Sequence, residues 1–180
     1  PDISETGRTL LNWWFNTPHP IPHSDGTIGN FQYYFAQRES VETIIYLHEY
    51  VKVLDRNDLL RFDVRGVVTP NLIKENWRRY VVKMATGSGK TKIMSLILAW
   101  SYFHKKYEND SDLAQNFLVV APNIIVLDRL RADFDGLKIF SEDPVLPENG
   151  TRGQNWNSDF QLSLHIQDTV GPLNPNGNIF

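Results

Sequence analysis

The run Tyr80-Val81-Val82-Lys83-Met84-Ala85-Thr86-Gly87-Ser88-Gly89-Lys90-Thr91 starts β-branched, passes through a glycine turn and ends on Lys-Thr before a long apolar segment. It predicts a buried strand over 80–85, a tight turn and a helix from Gly89 to about Tyr107. Small residues let such a turn wrap an anion, and the free N–H groups of the helix start point at it. Thr86, Gly87, Ser88, Gly89, Lys90 and Thr91 are therefore candidate ligands of a nucleotide. Lys90 would reach the β- and γ-phosphates and the Thr91 hydroxyl would sit on Mg²⁺. The general pattern G-x-x-x-x-G-K-[ST] asks for glycine where Met84 stands.

Downstream, the helix carries Ile93, Met94, Leu96, Ile97, Leu98, Trp100, Tyr102 and Phe103 nearly all round, as a helix between a sheet and other elements does. Phe117 to Ala121 predicts a second buried strand. Pro122 breaks it, and Asn123 is placed to cap a helix with Leu127, Leu130 and Phe134 inward and Asp128, Arg129, Arg131 and Asp133 outward. Residues 141–158, with Pro144, Pro147, Gly150 and Gly153, read as a long loop. A third strand is expected over Phe160–Ile166 and the start of another at Ile179-Phe180. Strand, helix, strand, helix in this order predicts an α/β fold with a parallel sheet and right-handed crossovers.

Upstream, Leu10-Leu11-Asn12-Trp13-Trp14-Phe15 is apolar enough to dock on another element. The prolines of Thr17-Pro18-His19-Pro20-Ile21-Pro22-His23 forbid a helix and point to a surface loop rather than a metal site. Phe31-Gln32-Tyr33-Tyr34-Phe35 leads into a helix whose Val41, Ile44, Ile45 and His48 share one face, with Gln37 and Arg38 in its first turn. Asp55 to Asp58 and Arg65-Gly66 read as turns, and a short helical segment is expected from Pro70-Asn71 to Trp77. Lys74, Arg78 and Arg79 near Trp77 form a small basic and aromatic cluster that could serve DNA or anchor the segment.

Composition narrows the classes. The 180 residues are 41% hydrophobic and 22% charged with a formal net charge of -3, ordinary for a globular domain. That balance neither demands nor excludes nucleic acid, since a basic track can occupy one face. The absence of cysteine excludes a disulfide scaffold and cysteine-ligated metals. No apolar run has membrane-spanning length and no signal peptide opens the chain, so the expectation is a cytoplasmic protein without membrane association. The start at Pro1 and the stop inside Gly177-Asn178-Ile179-Phe180 suggest part of a longer polypeptide.

Met84-Ala85-Thr86-Gly87-Ser88-Gly89-Lys90-Thr91 resembles motif I of superfamily-2 helicases and translocases, in particular the restriction subunit of type III restriction enzymes, where Met commonly replaces the first glycine. Leu118 to Asn123 with Leu127-Asp128-Arg129-Leu130 is similar to motif Ia, and Phe35 to Ile44 to the upstream glutamine motif. The resemblance covers about residues 8 to 180. It implies a RecA-like P-loop NTPase sheet flanked by helices, the first motor domain in truncated form. Residues 1–30 would be an N-terminal extension, 31–79 the glutamine-motif helix and an insertion, and 80–180 the first part of the ATP-binding domain. ATP and Mg²⁺ are the implied cofactors, and double-stranded DNA and a methyltransferase (modification) subunit the implied partners. Gln37 becomes an adenine ligand, since a carboxamide donates and accepts at once. Pro122, Asn123 and Arg129 become nucleic-acid contacts, made through backbone N–H groups and charge.

Hydrolysis needs more than this loop. An acidic residue at the end of another strand must hold Mg²⁺, and no apolar run ending in Asp-Glu follows residue 121; Asp168 is a lone acid beside Thr169. The chain is therefore expected to bind nucleotide and to hydrolyse it poorly or not at all. Two other readings stay open: a P-loop protein used as a nucleotide switch or for other phosphoryl transfer, and a non-catalytic interaction domain.

Overall fold

The computed structural model describes residues 2–54, 57–63, 65–66, 77–166 and 171–180, with the backbone alone at Asn57 and Arg61. The segment expected to be helical from Pro70, Lys74 of the basic cluster, the Asp55-Arg56 turn and Asp168 lie outside these residues.

Helix α1 (Glu5–Asn16) starts on Ser4, whose side chain accepts the Gly7 N–H at 2.9 Å. Its buried face carries Thr6, Gly7, Leu10 and Trp14, and both neighbouring indoles reach across the molecule. Trp13 Nε1 donates to the Pro144 carbonyl at 2.9 Å and Trp14 Nε1 to the Val145 carbonyl at 2.7 Å. The expected docking element is thus a helix bound to the segment around residue 145.

The proline-rich stretch after it is not a loop. Strand β1 (His19–Pro22) pairs antiparallel with β2 (Ile28–Phe31), His19 opposite Phe31 and Pro22 opposite Ile28. Pro20 and Pro22 alternate with His19 and Ile21, so the missing N–H groups fall on the side that faces away from the partner. His19 is buried, its Nε2 2.7 Å from the Trp13 carbonyl and its ring edge-on to that indole.

Helix α2 (Phe35–Ile45) continues into a π-helical turn, Tyr46–Tyr50, and buries Val41, Ile44, Ile45 and His48 as its periodicity predicts. Helix α3 (Lys90–Tyr107) is the central element, packed against α1, α2 and the short helical turn Lys138–Ser141. Ile93, Leu96, Ala99, Trp100, Tyr102 and Phe103 are buried along it, and His104, Lys105 and Lys106 close its C-terminal turn, where cations suit the helix dipole.

Strand β3 (Asn116–Phe117) leads to α4 (Ile124–Phe134) and then to α5 (Lys138–Ser141). A short helix α6 (Trp156–Asp159) interrupts the expected loop and buries Trp156 completely against Phe103 and Tyr107. Strands β4 (Ser163–Leu164) and β5 (Asn178–Ile179) complete a parallel sheet in the order β3-β5-β4. Hydrogen bonds from Phe180 N to the Phe117 carbonyl (2.9 Å) and from Val119 N to the Phe180 carbonyl (2.7 Å) carry the ladder one step further. Gly177 opens the central strand where a Cβ would lie 2.7 Å from both the Gln115 carbonyl and a Leu162 methyl.

The expected strand over 80–85 is corrected. The segment is extended but joins no sheet ladder among the described residues. Tyr80, Val82 and Met84 pack on the core while Val81 is 90% exposed, a one-sided burial that the β-branched run alone does not reveal. Strands β3 and β4 are shorter than the runs Phe117 to Ala121 and Phe160 to Ile166 from which strands are expected. No helix among the described residues is long and apolar enough to cross a membrane.

Candidate nucleotide site

The turn 86–89 joins the extended segment to α3. Gly87 and Gly89 have φ of 80° and 78°, the left-handed region that glycine enters freely. With that backbone, Lys90 folds over the loop, and its Nζ donates to the Ala85 carbonyl at 2.8 Å and the Met84 carbonyl at 3.2 Å. The Ser88 hydroxyl donates to the Ala85 carbonyl at 2.7 Å. Inside the helix the first donors are Lys92 N and Ile93 N, both to the Gly89 carbonyl. The N–H groups ahead of them are those that a helix leaves without an internal partner.

Thr86, Gly87 and Lys90 are exposed, Thr91 is half-buried, and a Cβ on Gly87 would meet nothing within 4 Å. An open glycine turn, a helix N-terminus and an exposed ammonium form a donor set that fits a polyphosphate. Met84, at the position where the general pattern has glycine, sends its side chain the other way. It packs on the core with its sulfur 3.9 Å from the Ser40 hydroxyl of α2.

Gln37 stands against this loop. Its Oε1 accepts the Tyr34 N–H at 2.8 Å, which fixes the first turn of α2, and its Nε2 donates to the Ser88 carbonyl at 3.0 Å. The residue is 2% exposed. A carboxamide has two donor hydrogens and two acceptor lone pairs, so each end keeps one unspent. The structure thus brings together Gln37 and the 86–91 loop, although the bond to Ser88 has no signal in the sequence.

Motif reading passed over two more residues at the loop. Lys92, in the first turn of α3, forms an ion pair with Asp143, and its Nζ lies 5.4 Å above the Phe31 ring. No pattern joins positions 92 and 143, and one charged residue inside an apolar helix reads as a solvated side chain.

Pro122, Asn123 and Arg129 are exposed at the start and outer face of α4. The Asn123 Oδ1 accepts the Val126 N–H at 3.0 Å, so its side chain is spent on the cap predicted for it. Phe134 is buried and Leu127 and Leu130 half-buried, while Arg131 is half-buried rather than turned fully outward. Asn123 borders an apolar groove of about 580 Å³ that Leu118, Val120, Ile124, Leu127, Leu164 and Phe180 help to line. Among the described residues no hydrogen bond or ion pair joins these three residues to the 86–91 loop.

The family described as "Type III restriction enzyme, res subunit" matches residues 30–168 of the chain. The chain belongs to this family. The match spans α2, the loop, α3, α4 and the first two strands of the parallel sheet, and it implies a P-loop NTPase fold and a helicase-like ATPase class for the subunit. No curated protein and no solved structure matches the chain.

Proposed function

We propose that this chain is the ATP-binding N-terminal part of the helicase-like motor of a type III restriction subunit. The observation that carries the reading is the loop itself. Lys90, just after the left-handed Gly87 and Gly89 and at the head of an 18-residue helix, lies folded over the Met84 and Ala85 carbonyls. Thr86, Gly87, Ser88 and Gly89 supply backbone donors to the phosphates, and Lys90 leaves its loop carbonyls for the β- and γ-phosphates. The Thr91 hydroxyl holds the Mg²⁺ that the nucleotide brings, and that ion supplies charge neutralisation at the terminal phosphates. Gln37 reads the adenine edge with its unspent N–H and lone pair, which requires its cover to move aside.

In this reading the sheet and helices from residue 80 to 180 are the first part of a RecA-like domain, preceded by the 31–79 segment and the 1–30 extension. The whole subunit couples ATP hydrolysis to movement on double-stranded DNA and works with a modification methyltransferase. Backbone N–H groups at Pro122-Asn123 and the guanidinium of Arg129 meet DNA phosphates without sequence preference.

A melting experiment tests the nucleotide part. A ligand that binds only the folded chain stabilises it by about 2.7 kcal/mol at a hundredfold excess over its Kd. ATP with Mg²⁺ therefore raises the Tm of the wild type and raises that of Lys90→Ala much less. Equal shifts in both would remove the reading.

A further inference from the structure

Helix α1 and strand β1 lie ahead of the residues 30–168 that match the family, yet the N-terminal segment reaches the first turn of α3 by two routes. One runs through backbone carbonyls. Trp13 and Trp14 donate their indole N–H groups to the carbonyls of Pro144 and Val145, and Asp143, just before these two, forms the ion pair with Lys92. Asp143 has little freedom. Its side chain is 15% exposed, α5 ends two residues before it, and its carbonyl accepts the Val145 N–H at 2.7 Å.

The second route is aromatic. Phe15 of α1 meets Tyr33 edge-on at 5.8 Å, Tyr33 meets Phe31 of the hairpin edge-on at 4.8 Å, and the Lys92 ammonium lies 5.4 Å above the Phe31 ring. Burial first, and then the charge of Asp143, push the Tyr33 phenol well above its usual range, so Tyr33 stays neutral. Both routes end on Lys92, the third residue of α3, whose N–H donates to the Gly89 carbonyl at 3.0 Å. A half-exposed ion pair adds little to stability. This one fixes the turn whose backbone donors face the candidate phosphate position.

We propose that α1 and the β1-β2 hairpin buttress the nucleotide loop, with Asp143 and Lys92 as positioning residues that hold the first turn of α3 where the N–H groups of 86–91 converge on phosphate. This inference rests on the nucleotide reading above. Both residues act through the backbone of the turn rather than as phosphate ligands. The gain is preorganisation, since donors that are already fixed lose less freedom when the anion arrives. The charges separate this role from a simple field effect by sign. Through the field alone, removing the Asp143 carboxylate would favour a polyanion at the loop. Through the buttress, the same change releases Lys92 and the turn, and binding weakens.

The test measures the affinities of the 180-residue chain for ATP and for inorganic tripolyphosphate, each with Mg²⁺, by displacement of a fluorescent nucleotide at a temperature where every variant is folded. Asp143→Asn and Trp13→Phe are each expected to weaken both ligands by about fivefold and to the same extent, since the phosphate donors and not the base are disturbed. The double variant is expected to bind no more weakly than Asp143→Asn alone, because both changes cut one route. Lys92→Arg, which keeps the pair, binds as the wild type does. Trp13→Phe keeps a ring in place and alters no charge, so it remains decisive if Asp143→Asn does not fold. Tighter or unchanged binding in either folded single variant, a loss confined to ATP, or losses that add in the double variant overturn the buttress and leave nucleotide binding standing. A wild type that binds neither ligand overturns the nucleotide reading and this inference with it.

Discussion

The Gln37 carboxamide donates to the Ser88 carbonyl at 3.0 Å and occupies the space that a Cβ on Gly89 would need. The two glycines of the loop are therefore not equivalent. Both sit at left-handed φ, but a Cβ on Gly87 would enter open space whereas one on Gly89 would strike Gln37. Gly87→Ala should cost about 1 kcal/mol from backbone strain alone, and Gly89→Ala more than that. Pairing Gly89→Ala with Gln37→Ala should recover the excess. Urea denaturation without nucleotide measures all four chains, and equal costs at the two glycines would contradict the contact.

Trp156 is the strongest test of the packing that holds α3 in place. It is fully buried, meets Phe103 edge-on at 4.6 Å and donates its indole N–H to the Thr151 carbonyl at 3.0 Å. Trp156→Ala should destabilise the chain by about 3–5 kcal/mol, since the cavity sits among rigid aromatic rings. The midpoint of chemical denaturation reports it. A loss below about 1 kcal/mol would mean that α6 does not cover the helix as described.

Acid should weaken the chain in a defined window. Burial pushes the Asp112 carboxyl up, but hydrogen bonds from Arg78 and His48, together with their charge, outweigh it and hold the group at about 2, below its ordinary 3.8. A folded pKa below the unfolded one gives stability that is complete above the unfolded value and is lost as pH falls through the folded one. The contribution of Asp112 is therefore present above about pH 4 and fades toward pH 2. Asp112→Asn should remove that slope and be less stable than the wild type at pH 6, with the gap closing toward pH 2. His48, lowered mainly by burial, acts in the same direction from its ordinary 6.5 downward. Denaturation curves between pH 2 and pH 7 measure both.

The features legible in the sequence were those set by neighbours along the chain. The glycine turn before Lys90, the end of α3 at Tyr107, the buried face of α2 and the Asn123 cap all follow from local periodicity and side-chain chemistry. What stayed hidden depends on partners far away in the chain. Pro20 and Pro22 read as a loop because only the pairing with Ile28–Phe31 turns their nitrogens outward. Tyr80–Ala85 looks like a doubly buried strand, yet among the described residues it joins no sheet, and Val81 stands in the open. At the candidate site, Lys90 and Thr91 are read from the motif alone. The brace from Gln37 to Ser88 and the pair of Lys92 with Asp143 bridge 51 positions each and leave no periodic trace. The apolar groove beside Asn123 likewise comes from strands that meet only in the folded sheet.

Direct titration of ATP and Mg²⁺ into the chain, by calorimetry, tests the central claim most plainly. Saturable one-site binding is predicted for the wild type, weakened about tenfold to a hundredfold in Lys90→Ala, the loss of one charge-assisted hydrogen bond to phosphate. No heat of binding in the wild type, or the same affinity in both chains, would contradict it.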